Sequence, residues 1–266
     1  MDLQLRGKTA IVTGGSRGIG KAVARALAAE GVDVAVVARG EADLEAAANE
    51  LAGETGRRVV PVPCDTSSDE SVREMVGRVV ADLGGVDILV NCAAQPGGQA
   101  PPPKLAEIDD DVFWPDVNVK VMGYLRCIRE AVPHMVARGG GRIVNVSGLA
   151  ARSSGSTVGS IRNVAVAALT KNLADELAPR GITVVVVHPA LTRTEKTPGV
   201  IRAQAARLGV TEAEVEQRMG RANLLGRLVD AEEVAAVVAF LASPRATPIN
   251  GDAVSVGGGV PGSIHY

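Results

Sequence analysis

The 266-residue sequence predicts an α/β fold in which helices cover both faces of a doubly wound parallel sheet. Three observations lead there. Short Val- and Ile-rich runs alternate with longer Ala-rich stretches along the whole chain. The runs are nearly continuous in apolar residues, as strands buried on both faces require. The apolar material, 46% of the residues, contains few aromatics (2%), so the core is expected to be mainly Ala, Val, Leu and Ile. Alternation of this kind implies right-handed strand–helix–strand crossovers.

The elements follow in order. "TAIVTG" (9–14) reads as the first strand, before a helix at about 18–30. "DVAVVAR" (33–39) precedes a helix at about 41–54, and "RVVPVPCD" (58–65) one at 68–83. "VDILVNCAA" (86–94) runs into a proline-rich loop, "QPGGQAPPP", and a long helical region, 110–137. "GRIVNVSG" (141–148) is a strand, a helix starts near Ser160, and "ITVVVVHPA" (182–190) is the sixth strand. A polar helical segment at about 196–222, a helix at 230–242 and a strand at 253–256 complete the pattern. With no linker and no repeat, residues 1–266 are expected to form a single domain, a length common for one α/β unit.

Composition narrows the function. Twenty-eight basic and 30 acidic residues give a net charge of −2, which favours neither nucleic acid nor an anionic membrane. Three widely spaced cysteines (Cys64, Cys92, Cys127) suggest neither a disulfide framework nor a metal. No signal-peptide pattern opens the chain, and no apolar run reaches the roughly 18–20 residues of a membrane span. The expectation is a soluble cytoplasmic protein acting on a small molecule.

The first chemistry lies in "TGGSRGIG", Thr13 to Gly20, between the first strand and the first helix. Gly14 allows the tight turn, Gly18 lets backbone approach a phosphate, and Gly20 permits close helix–strand contact. The helix then offers unpaired N–H groups and a partial positive charge to a pyrophosphate. The candidate cofactor contacts here are Gly14, Ser16, Arg17, Gly18, Ile19 and Gly20, and the sheet is expected to be of the Rossmann type.

The loop matches, residue for residue, the TGxxxGIG pattern of the short-chain dehydrogenase/reductase family, and the sequence resembles that family along essentially its whole length. Asp65, with Thr66 beside it, sits where the family's aspartate contacts the adenine. "VNCAA" (90–94) looks like the family's NNAG segment, keeping Asn91 and Ala93. "HPALTRT" (188–194) looks like its PG segment, with Ala190 for the glycine and Thr194 where a threonine holds the carboxamide. The resemblance implies a nicotinamide cofactor and a homo-oligomer, a tetramer or dimer. An acid ending strand two would bind the adenosine ribose, but that place holds Ala38, followed by Arg39. Two guanidiniums, Arg17 and Arg39, with no competing carboxylate favour a 2′-phosphate, hence NADP(H) over NAD(H).

The family's reaction is hydride transfer between nicotinamide C4 and a carbonyl or alcohol carbon. A tyrosine moves the proton, a lysine four residues on lowers its pKa, a serine holds the substrate oxygen and an asparagine supports a relay water. "PDVNVK" supplies Asn118 for the asparagine. Counting back from "VAALTKNLADEL", the tyrosine falls on Gly159 and the lysine on Asn163. Counting forward from "GRIVNVSG", the serine falls on Gly148, just after Ser147. The chain has only Tyr124 and Tyr266, and neither begins a YxxxK. The resemblance therefore implies an atypical member without that pair.

A positioned general acid is worth about 10²–10⁴ in rate, and near-attack positioning in favourable cases about 7–11 kcal/mol. Such a site can still transfer hydride, slowly or with another donor. Asn118, Ser147 and Asn163 are the catalytic candidates, with Ser154, Ser160 or a water as other donors; a cap or turn role is the plainer reading of each serine. His188 reads as structural, Lys120 as a solvated or packing lysine, and the terminal His265 and Tyr266 as a packed or frayed tail. The expected function is NADPH-linked reduction of a carbonyl or activated double bond with a non-standard proton donor. The alternative is an NADP(H)-binding protein without redox turnover, a sensor or inactive partner subunit. Non-redox hydration or elimination is a third possibility. Residues 191–222 are expected to form the substrate lid.

Overall fold

Residues 1–95 and 101–261 are described by a computed structural model of the protein. Residues 96–100 of the proline-rich loop, and the terminal His265 and Tyr266, lie outside the described residues. The chain runs β1 (Thr9–Thr13), α1 (Gly18–Ala29), β2 (Asp33–Ala38), α2 (Glu41–Thr55), β3 (Val59–Pro63), α3 (Asp69–Leu83) and β4 (Ile88–Asn91). It continues through α4 (Asp110–Val117), α5 (Gly123–Ala137), β5 (Gly141–Val146), α6 (Thr157–Leu177), β6 (Ile182–Pro189) and β7 (Thr192–Arg193). α7 (Thr197–Leu208), α8 (Glu212–Gly220), β8 (Val229–Asp230), α9 (Ala231–Leu241) and β9 (Ala253–Val256) complete it.

Seven strands form one parallel sheet in the order β3-β2-β1-β4-β5-β6-β9. Alternate residues of each central strand enter different cores, which is why the strands are apolar without interruption. Ala10, Val12, Val34, Val36, Ile88 and Val90 join Leu27 of α1, Leu51 of α2 and Val238 of α9. Ile11, Ala35, Val37, Leu89 and Ile143 join Met75 and Val79 of α3 and Met135 of α5. The doubly wound sheet read from the sequence is thus the observed one.

Two elements depart from the reading. The helical region 110–137 is not one helix: a five-residue π-turn, Asn118–Met122, separates α4 from α5. Such turns insert a residue into the helical path and turn the following side chains to a new direction. The polar segment before α9 is two short helices, α7 and α8, the second closed by a capping box between Thr211 and Glu214.

Polar side chains cross the core beneath the carboxyl ends of the strands. Asn91 Nδ2 donates to Asn145 Oδ1 at 2.9 Å, and Asn145 Nδ2 donates to Thr170 Oγ1 at 3.0 Å. Thr170 Oγ1 in turn donates to the Val166 carbonyl at 2.8 Å, and all three side chains are fully buried. The string ties β4, β5 and α6 together under the cleft described below. Thr170→Val keeps the shape and strands the Asn145 amide, so a loss of about 1–3 kcal/mol is expected in urea denaturation. An unchanged midpoint would mean the string contributes nothing to stability.

Candidate cofactor and active-site cleft

In the sheet order, β1 and β4 are neighbours whose onward connections run to opposite sides, and the crevice of such a sheet opens above that switch point. A cleft of about 860 Å³ lies there, within the range of small-molecule sites. The glycine loop forms one wall. A Cβ on Gly20 would lie 2.2 Å from the Gly14 carbonyl oxygen, so only glycine lets α1 sit this close to β1. Gly14 itself has φ +68° and packs on the Cys92–Ala93 backbone. Those two N–H groups donate to Thr13 Oγ1 at 3.1 and 3.2 Å, fastening the turn after β4 to the turn after β1.

The amino end of α1 is open to an anion. Side chains cap α3 (Ser68), α6 (Ser156) and α8 (Thr211), whereas none caps α1. Its Gly18 N–H instead donates to the Glu195 carboxylate at 3.1 Å, from the segment beside Thr194. The Thr194 methyl rests over Gly18, 3.5 Å from where a Cβ would stand. A carboxylate here occupies the kind of place a phosphate oxygen takes at a helix amino terminus, so the residues fit the phosphates of a dinucleotide.

Gly14, Ser16, Arg17, Gly18, Ile19 and Gly20 all line the cleft, as do Arg39, Asp65, Thr66, Ala93 and Thr194. Asn91 does not; it lies fully buried in the polar string below the floor. Arg17 and Arg39 are exposed at the cleft edge, but carboxylates share that end: Asp43 of α2 and Asp65 both line it. The Ser67 backbone N–H, with Ser67 Oγ and the nearby Arg39 and Arg126 charges, holds the Asp65 carboxyl below the usual range against the opposing effect of burial. The guanidiniums are therefore not without competing carboxylates, because the turn into α2 brings Asp43 around to them.

At the other end, Gly148 and Asn163 face each other: a Cβ on Gly148 would stand 3.2 Å from Asn163 Nδ2. Ser147 Oγ donates to the Asn163 carbonyl at 3.1 Å and to Asn163 Oδ1 at 3.2 Å. Both Ser147 and Asn163 line the cleft and are buried. At Gly159 a Cβ would meet Ser156 Oγ at 2.7 Å, the hydroxyl that accepts from the Gly159 N–H and caps α6. Ser160 Oγ donates to the Ser153 carbonyl, and neither Ser154 nor Ser160 lines the cleft. His188 is buried in β6 and does not line it either. Tyr124 is fully buried and donates to the Val146 carbonyl at 2.8 Å. Among the described residues no group of three metal-binding side chains occurs and no helix is long and apolar enough to cross a membrane.

The π-turn Asn118–Met122 borders the cleft. Val119 and Lys120 line the cleft, and Asn118 does not; the Asn118 carbonyl accepts from Arg126 instead. Lys120 is not solvated: it is 4% exposed, and its Nζ donates to the Ser147 carbonyl at 3.0 Å. Burial drives its pKa down to about 7, with Arg162 adding to the shift and Asp116 and Cys92 opposing it. Arg162, one residue before Asn163, is paired with Asp116 at the cleft wall. A sequence signal for Lys120 existed: with Tyr124, Cys127, Ile128, Ala131 and Met135 it falls on the buried stripe, which Asn118 misses.

Comparison with known proteins follows from this architecture. The family model described as enoyl-(acyl carrier protein) reductase matches residues 14–261. The chain is similar to the short-chain reductase protein NovJ of Streptomyces niveus, 36% identical over 95% of this chain and 93% of that protein. Among solved structures it is similar to the L-sorbose reductase of Gluconobacter frateurii complexed with NADPH and L-sorbose. That match has a TM-score of 0.93 and 31% identity over 99% of this chain and 100% of the other. It is also similar to a variant of actinorhodin polyketide ketoreductase with NADPH, at a TM-score of 0.88 and 33% identity over 96% and 98%.

A phosphate at the amino end of α1 would have to displace the Glu195 carboxylate from the Gly18 N–H. Glu195→Gln removes its charge, worth roughly 0.3–1 kcal/mol at a helix terminus, so NADPH should bind about 2–5-fold tighter in calorimetric titration. Unchanged or weaker binding would show that Glu195 does not guard the site.

Proposed function

Because the chain belongs to the short-chain dehydrogenase/reductase family, we propose that it is an NADP(H)-dependent oxidoreductase reducing a carbonyl or an activated double bond. The observation that carries this reading is the uncapped amino end of α1, set at the sheet's switch point and already engaging an anionic group. Gly14, Ser16, Gly18, Ile19 and Gly20 would hold the pyrophosphate, Asp65 and Thr66 the adenine end, Ala93 and Thr194 the nicotinamide end. When bound, the reduced nicotinamide supplies a hydride. The remaining tasks belong to this chain: Ser147 and Asn163 offer hydrogen bonds at the far end, and of the segment 191–222 it is Leu191, Thr192, Thr194, Glu195, Lys196 and Ala222 that would border the substrate. The NADPH and L-sorbose bound by the Gluconobacter reductase, and the NADPH bound by the actinorhodin ketoreductase variant, support both the cofactor and a carbonyl substrate.

Preference for the 2′-phosphate rests on Arg17 and Arg39 outweighing Asp43 and Asp65 at the same edge. A charge-assisted hydrogen bond contributes about 1.5–3 kcal/mol. Arg39→Ala is therefore expected to weaken NADPH about 10–100-fold and to leave NADH nearly unchanged, as read by fluorescence titration. Equal losses for the two nucleotides would remove the basis for assigning NADP(H).

The second reading, dinucleotide binding without turnover, is favoured by Gly148, Gly159 and Asn163, which leave the family's proton-transfer positions without their usual groups. Purified protein with NADPH and a panel of α-diketones, trifluoromethyl ketones and cyclic enones separates the two. Oxidation of NADPH above background supports the oxidoreductase; tight binding with none across the panel supports the binding protein.

A further inference from the structure

The ammonium that Asn163 lacks is present in the cleft, carried by a different element. Lys120 belongs to the π-turn between α4 and α5 and is the buried residue of that turn. Its Nζ donates to the carbonyl of Ser147, whose own hydroxyl is bonded to Asn163. Lys120 thus reaches, from the π-turn beside α6, the same corner that α6 faces with Asn163. An ammonium has three donors and one is used here by a protein carbonyl, so further donor capacity is available to a ligand in the cleft.

From this geometry we infer that Lys120 is the proton donor of the reduction, transferring a proton from its ammonium to the oxygen of the substrate carbonyl. The inference rests on the oxidoreductase reading above. The carbonyl carbon accepts hydride, with its electron pair, from the reduced nicotinamide. The oxygen takes the proton, a carbonyl becomes an alcohol, and the nicotinamide is oxidised. Lys120 is left as a neutral amine and recovers its proton from solvent.

The surroundings suit a donor that must both hold and lose a proton near neutrality. The charged groups packed toward Lys120 are Arg162 of α6 and Asp116 of α4, themselves an ion pair, and Cys92 after β4 is a neutral thiol whose pKa burial raises to about 12. No full counter-charge is therefore committed to the ammonium. Burial disfavours the charged form of a lysine, which is what makes its proton transferable at physiological pH. The protonated form is the donor and is present below a pKa of about 7. Reduction should accordingly be fastest below that value and fall roughly tenfold per pH unit above it.

The test uses three proteins, wild type, Lys120→Met and Lys120→Arg, with the activated ketone the wild type reduces fastest. NADPH affinity and thermal melting establish that each variant is folded and loaded. Both variants are expected to bind NADPH within about threefold of wild type and to lose roughly 10²–10⁴ in kcat. Arginine keeps the charge and a hydrogen bond but does not release a proton, so its failure separates proton donation from charge or packing. Carbon-13 NMR of lysine-labelled, ligand-free protein supplies a readout independent of turnover. One lysine signal should titrate near pH 7 in wild type and vanish in Lys120→Arg.

An active wild type with an equally active Lys120→Arg overturns the inference and leaves the oxidoreductase reading standing. So does a wild type in which every lysine titrates near its ordinary value. A wild type that binds NADPH and reduces nothing in the panel overturns the oxidoreductase reading itself, and with it the role of Lys120.

Discussion

The cleft depends on how closely α1 is seated against the end of β1. The Gly14 carbonyl and the place where a Gly20 Cβ would be are 2.2 Å apart, so the first helix begins almost on top of the strand that precedes it. That proximity aims the uncapped N–H groups of α1 into the crevice rather than out into solvent. It also fixes the turn after β4, because Thr13 holds the Cys92 and Ala93 N–H groups from below. Residues at or just after the ends of β4, β5 and β6 line one cleft because this first junction sets the height of the floor.

Above that floor the two ends of the cleft are built on different principles. The glycine-loop end relies on backbone, and its shape is dictated by residues with little or no side chain. The far end relies on buried polar side chains, Ser147, Asn163 and Lys120, which hold one another through carbonyl and amide contacts. In an environment of low dielectric, such groups are costly unless they satisfy each other. Gly148 is part of that arrangement, since a side chain there would press on the Asn163 amide. Gly159 similarly leaves the Ser156 cap undisturbed. Gly148 and Gly159 are thus fitted to their neighbours.

The sheet and the glycine turn after β1 were legible in the sequence because both depend on strictly local signals. Apolar runs such as Ile182–Pro189 announce a central strand whatever surrounds them, and TGGSRGIG announces a turn by its own conformational needs. The far end was not legible, because it depends on which face of a helix looks inward. Residues two apart on an α-helix point in nearly opposite directions. Placing Asn118 in the cleft therefore turned Lys120 away from it, and only the buried stripe through Tyr124 and Cys127 argued the reverse. Asp43 was hidden for a related reason: its distance from Arg39 is set by how α2 leaves β2, and a count along the chain does not give it.

The contact between Glu195 and Gly18 joins two segments that are distant in sequence. The segment that carries Glu195 leads directly into α7, so this hydrogen bond ties the start of α1 to the start of a helix about 180 residues further along the chain. A substitution at Glu195 therefore acts on two segments at once, the turn that opens α1 and the stretch that starts α7, through one hydrogen bond.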